Sequence, residues 1–96
     1  MKTFYLGIDV SKGYADFIIL DSERNPVEDG FQLDDTAEGH RLLYERLKRF
    51  FENHPDSQIL SAVESTGGYE NNWFAFLTAC GETLNIRTAR LNPLCV

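Results

Sequence analysis

The stretch from Leu6 to Asp21, LGIDVSKGYADFIILD, constrains the fold of this chain more than any other. Two apolar runs stand on either side of Ser11, Lys12 and Gly13, a connection short enough for a hairpin. Over residues 3–11, Phe4, Leu6, Ile8 and Val10 alternate with Tyr5, Gly7 and Asp9. The alternate positions are not strongly polar, so the reading is a central strand with both faces covered. Residues 14–21 read as a second strand. What needs explaining is Asp9, a carboxylate near the C-terminal end of an otherwise apolar strand.

The rest of the chain changes period. SERNP (22–26) reads as a turn, and VEDGFQL (27–33) as a weaker third strand with Gly30 as a candidate bulge. From Asp34 the spacing becomes helical: Leu43, Leu47, Phe50 and Phe51 recur on one side, with Leu42 beside them. Asp34, Asp35 and Thr36 are candidate N-caps, and Asn53 and Pro55 mark the stop. QILSAVE (58–64) is a short apolar run ending in a carboxylate, and Ser65–Gly68 breaks it. A second helix follows over 69–81, with Tyr69, Trp73, Phe76, Leu77 and Cys80 on one stripe and Gly81 as terminator. LNIRTA (84–89) reads as a fifth strand. The order β-β-β-α-β-α-β predicts an α/β fold with a mixed sheet. Its first three strands are antiparallel, its later strands run parallel to the first, and crossover helices cover the sheet's faces.

Length and charge narrow the function. At 96 residues the chain is one domain, large enough for one compact core. No apolar run approaches the ~20 residues of a membrane helix. The N-terminus lacks a signal peptide's apolar stretch and cleavage site, so the expected location is the cytoplasm with no membrane partner. A net charge of −6 argues against gripping nucleic acid by charge alone. Arg41, Arg46, Lys48 and Arg49 share the first helix and read as a solvated face, helped by Glu45 and Arg49 at i,i+4; Arg87 and Arg90 lie near the end. Cys80 reads as a reduced core thiol. Neither Cys80 nor Cys95 belongs to a zinc-type cluster. His40 and His54 are isolated.

In such a sheet the first and fourth strands lie side by side and point the same way. Asp9 and Glu64 then share the C-terminal edge, where α/β active sites form. Two converging carboxylates repel, and a cation between them relieves this; hard oxygen ligands favour Mg²⁺ or Mn²⁺. Two such ions can clamp the oxygens of a phosphoryl transfer. Each residue also has a plainer reading: Asp9 accepting the amides of Ser11–Gly13, Glu64 favouring a helix dipole. Lys12 contacts phosphate, pairs with a carboxylate or is simply solvated. Ser65, Thr66, Gly67 and Gly68 form a polar lead-in to the second helix, either an anion site or an ordinary capping segment. Tyr69 and Trp73 are core residues by their spacing, with base stacking as the sharper alternative.

GIDVSK near the N-terminus, ESTGGY some fifty residues on and LNP after the last strand together resemble the N-terminal domain of insertion-sequence 110 family transposases. The match spans essentially the whole chain, 1–96. The resemblance implies an RNase H-like fold related to RuvC, and a D-E-D-D set of magnesium ligands of which Asp9 is the first aspartate and Glu64 the glutamate. It further implies DNA strand cleavage and transfer during transposition, DNA as partner, a guide RNA from the element itself, and a later domain carrying a catalytic serine. The family's D-x-x-D segment has no counterpart after LNP, so the expectation is an N-terminal fragment, inactive alone, that self-associates through an uncovered sheet. Two other readings remain. The first strand–turn–strand also resembles the phosphate loop of the actin and hexokinase ATPase superfamily. A non-catalytic oligomerisation module is the third.

Overall fold

The computed structural model describes residues 1–64 and 67–91. The elements are β1 (Lys2–Ser11), β2 (Tyr14–Leu20), β3 (Phe31–Asp34), α1 (Ala37–Asn53), β4 (Ser57–Glu64), α2 (Asn71–Cys80) and β5 (Ile86–Leu91). They build one five-stranded sheet in the order β3-β2-β1-β4-β5. β2 is antiparallel to β1 and to β3, while β4 is parallel to β1 and to β5. This is the mixed sheet expected from the element order. No helix among the described residues is long and apolar enough to cross a membrane.

Both helices lie on one face of the sheet, which corrects the expectation that crossover helices cover both faces and agrees with the uncovered face of the self-association reading. The β3–α1–β4 and β4–α2–β5 connections step across the sheet in the same direction. Right-handed crossovers must then put α1 and α2 on the same side. The covered face supplies Phe4, Leu6, Ala15, Phe17, Ile19, Ile59 and Ile86 to a core completed by Leu43, Leu47 and Phe50 of α1 and Trp73, Leu77 and Cys80 of α2. Phe50 meets Phe4 edge-on at 4.9 Å, and Trp73 meets Phe17 at 5.1 Å. Each fully buried apolar side chain contributes about 1.5–3 kcal/mol. The opposite face carries Tyr5, Gly7, Asp9, Leu60, Ala62 and Glu64 and is open; Tyr5 is 41% exposed and Leu91 50%.

Local chemistry explains the element boundaries. Thr36 is the N-cap of α1, its side chain accepting from the Gly39 amide at 3.0 Å, whereas Asp34 ends β3 and Asp35 turns to other partners. The third strand is shorter than residues 27–33. Residues 21–25 close a turn in which Asp21 Oδ1 accepts from the amides of Glu23 and Asn25, and Arg24 sits at φ 68°. A bridge from Pro26 to Leu20 and the Val27 amide to Ile19 O tie the next residues to β2. Gly30 precedes the strand rather than bulging within it. α2 starts at Asn71, so Tyr69 lies outside the helical stripe and is 47% exposed. On α1, Glu45 pairs with Arg41 at 2.7 Å rather than with Arg49, and Arg46 lies over the Phe31 ring and near Glu28.

Candidate active site

The β1–β2 hairpin closes through Lys12 and Gly13, with Ser11 paired to Tyr14 and Gly13 at φ 87°, a conformation glycine adopts at little cost. The turn is anchored by the Asp35 amide donating to Gly13 O at 2.9 Å. Four residues before the turn's glycine, Asp9 projects from the open face. In β4, Ser57, Ile59, Ser61 and Val63 turn inward, so Glu64 projects from the same face as Asp9. The parallel register pairs Leu6 with Ser61. Asp9 and Glu64 each stand three residues beyond this last pair, towards the same end of their strands. The two carboxylates line one depression of about 330 Å³ together with Ile8, Val10, Ala62 and Leu91.

Both carboxylates are exposed, and among the described residues neither has a hydrogen-bond or ion-pair partner. The turn amides of Ser11–Gly13 therefore do not occupy Asp9. Glu64 does not serve the dipole of α2, which begins seven residues later. Lys12 is exposed at the hairpin turn and pairs with neither carboxylate. Ser65 and Thr66 lie outside the described residues, as do Asn92 and Pro93 of the LNP motif and Cys95. Gly67 and Gly68 adopt positive φ (71° and 99°) in a turn ahead of α2 rather than in its first helical turn. Trp73 is fully buried, which excludes it as a stacking platform; Tyr69 is open to solvent. Among the described residues no group of three His, Cys, Asp or Glu side chains converges closely enough to hold a metal ion.

Three polar features near this edge escaped the sequence reading. Asp16 pairs directly with Asp9 across the hairpin and accepts from Gln32 Nε2 at 3.0 Å. Counting outward from the Lys12–Gly13 turn would have revealed that pairing. Glu70, at the N-cap of α2, is 2% exposed; its carboxylate accepts from the Gly68 amide at 3.1 Å and faces Arg90 Nε at 3.8 Å. Arg90 also donates to Asn71 and lies 4.5 Å over the Phe74 ring, so Glu70 ties the segment after Glu64 to the end of β5. Finally, Asp35 joins His40 Nε2 at 2.7 Å and accepts from Asn72 at 3.2 Å, linking the two helix starts. The His40 ring packs between Trp73 and Phe76. Only the spatial meeting of α1 and α2 gives this histidine a partner, and no sequence spacing signals it.

Comparison with known proteins bears on the fold and the family. The Holliday junction resolvase of fowlpox virus matches with a TM-score of 0.61 at 15% identity, over 94% of this chain and 61% of that one. The same virus's resolvase, solved with its substrate Holliday junction DNA, matches with a TM-score of 0.58 at 14% identity, over 97% of this chain and 62% of the other. At such identities the likeness establishes the fold, the RNase H-like mixed sheet of the RuvC-type resolvases. The chain spans about three-fifths of the length of these resolvases. No curated protein matches it in sequence. A family model described as Transposase, that of the IS110-type DEDD enzymes, matches residues 6–95. The stretch it covers includes Asp9, Glu64, the second half of β1 and every strand and helix after it, and the chain therefore belongs to the IS110 family of DEDD transposases.

Proposed function

We propose that residues 1–96 form the RNase H/RuvC-like N-terminal domain of a DNA transposase, and that Asp9 and Glu64 are two of its catalytic metal ligands. The observation that carries this is the pair of carboxylates, unpartnered among the described residues, that line one depression at the C-terminal ends of neighbouring parallel strands. Their hard, anionic oxygens fit Mg²⁺ or Mn²⁺ as part of a ligand set. When bound, the ion supplies Lewis-acid charge at phosphodiester oxygens. The chain's own residues hold that charge in place: β1 and β4 fix the spacing of the carboxylates, and the short hairpin behind Asp9 fixes β1. Lys12, Ser65 and Thr66 are proposed contacts for phosphate.

DNA is the proposed substrate, supported by the family and by the resolvase neighbour solved with a Holliday junction. In the complete recombinase the reaction is strand cleavage and transfer during transposition, in the cytoplasm and with the element's guide RNA. Two carboxylates are a partial ligand set, so the isolated chain binds metal weakly and does not cut DNA by itself. Its open sheet face favours self-association into a homo-oligomer. The ATP-binding alternative is not favoured: the family match runs through ESTGGY as well as the hairpin.

The test is a Mn²⁺ titration followed by NMR line broadening on the wild type and on Asp9→Asn. Broadening centred on residues around Asp9 and Glu64, and weakened in the variant, is expected. Diffuse broadening that is the same in both proteins would refute the metal assignment.

A further inference from the structure

Asp9 and Asp16 are direct cross-strand partners, their side chains on the same open face. Like charges placed opposite one another destabilise a sheet. Asp16 is not free to swing away at random: Gln32 Nε2 holds its Oδ1 at 3.0 Å from the β3 side. Asp9 and Asp16 also share the wall of a second concavity, about 590 Å³, floored by Gly7, Ile18 and Gly30. Asp9 therefore sits between two depressions, one shared with Asp16 and one shared with Glu64.

We infer that Asp16 is a positioning residue for Asp9: tethered by Gln32, its charge turns the Asp9 carboxylate away from β2 and towards Glu64. This rests on the reading of Asp9 and Glu64 as metal ligands, and extends it to a residue in β2 that holds no metal itself. The arrangement trades sheet stability for an Asp9 oriented before any ion arrives. It also adds one unit of negative field a strand's width, about 5 Å, from the first ligand.

The experiment has two parts on the full 96-residue chain. The first is a double-mutant cycle on melting temperature in low salt without divalent metal, using Asp9→Asn, Asp16→Asn and the double variant. Each single variant is expected to melt about 1–5 °C higher, and the double variant to gain less than the sum. Additive changes, or a lower Tm for Asp16→Asn, would overturn the coupling. The second is the Mn²⁺ midpoint by NMR broadening. Asp16→Asn, which keeps an acceptor for Gln32, should raise it roughly three- to tenfold, and Asp16→Glu should restore it to within about twofold. A wild-type midpoint in Asp16→Asn, or an equal loss in Asp16→Glu, counts against the positioning role. If the wild type itself shows no broadening at Asp9 and Glu64, the metal reading has failed, while a non-additive cycle still upholds the Asp9–Asp16 coupling.

Discussion

Gly39→Ala sets two effects of opposite sign against each other at the junction that supports the site. Gly39 is buried at the third position of α1, where alanine's better helix propensity favours the variant by up to about 1 kcal/mol. A Cβ built there, however, runs into the Asp34 carbonyl oxygen and falls 2.9 Å from its carbon. Those atoms are backbone at the end of β3 and cannot rotate aside. Relief requires the start of α1 to move roughly 1.5 Å from the sheet. That motion strains the Thr36 cap on the Gly39 amide, the Asp35–Gly13 bond and the Asp35–His40 pair. Overpacking of this kind costs about 1–3 kcal/mol, and a lost cap about 0.5–2 kcal/mol. Set against the propensity gain, the net loss is about 2–3 kcal/mol, or a fall of roughly 10–20 °C in Tm for a chain of this size. A thermal melt followed by far-UV circular dichroism measures it. A variant melting at or above the wild-type temperature would show that α1 and β3 do not approach this closely, and that propensity decides the position.

Two further outcomes follow from buried groups of α2. The Trp73 indole is fully buried, and its Nε1 finds no hydrogen-bond acceptor among the described residues, so Trp73→Phe removes an unsatisfied donor as well as packing. It should cost under about 2 kcal/mol by urea unfolding where Trp73→Ala costs about 3–5 kcal/mol; similar losses for both would contradict the unsatisfied donor. Burial pushes the Cys80 thiol from 9.0 up to about 11, so the unfolded chain loses this proton first as pH rises. Stability is full below pH 9.0 and declines between pH 9.0 and 11, and Cys80→Ala should flatten that decline in melts across this range; an unchanged slope in the variant would contradict the assignment.

Much of the fold was legible because its signals are local. The Ser11–Gly13 break between apolar runs gave the hairpin, and Leu43, Leu47 and Phe50 gave the covered face of α1. Asp9 and Glu64 could be brought together because strand order and direction follow from connection rules alone. What hydropathy cannot report is whether an apolar position is covered by its own chain. Tyr5 and Gly7 read as a covered second face of the first strand, yet α1 and α2 both pass on the other side. Tyr69 read as helical because its spacing to Trp73 and Phe76 fits a stripe. The positive φ of Gly67 and Gly68 instead holds the chain in a turn up to Glu70. Glu70 carried no signal in the sequence, since its partners, Gly68 N and Arg90, come from a turn and a distant strand.

On the proposed function, the charge on the open face bears on how the domain meets DNA at all. With a net charge of −6, and Asp9, Asp16 and Glu64 on one face, the strand-end edge repels a phosphodiester. Among the described residues, Lys12 is the cation on the hairpin turn, and Arg90 is engaged by Glu70 and Asn71. Among the described residues Lys12 is then the basic side chain at this edge left to meet a phosphate, too little for the counterion-release binding of basic DNA-binding proteins. On the proposed reading, Asp9 and Glu64 would hold a divalent ion whose charge offsets theirs and supplies a Lewis acid where the scissile phosphate must come. Metal binding and substrate binding then become one event at the same two carboxylates. The electrostatic cost of the Asp9–Asp16 pair is consistent with this, because a charge arrangement that weakens the empty sheet is the one a cation relieves most.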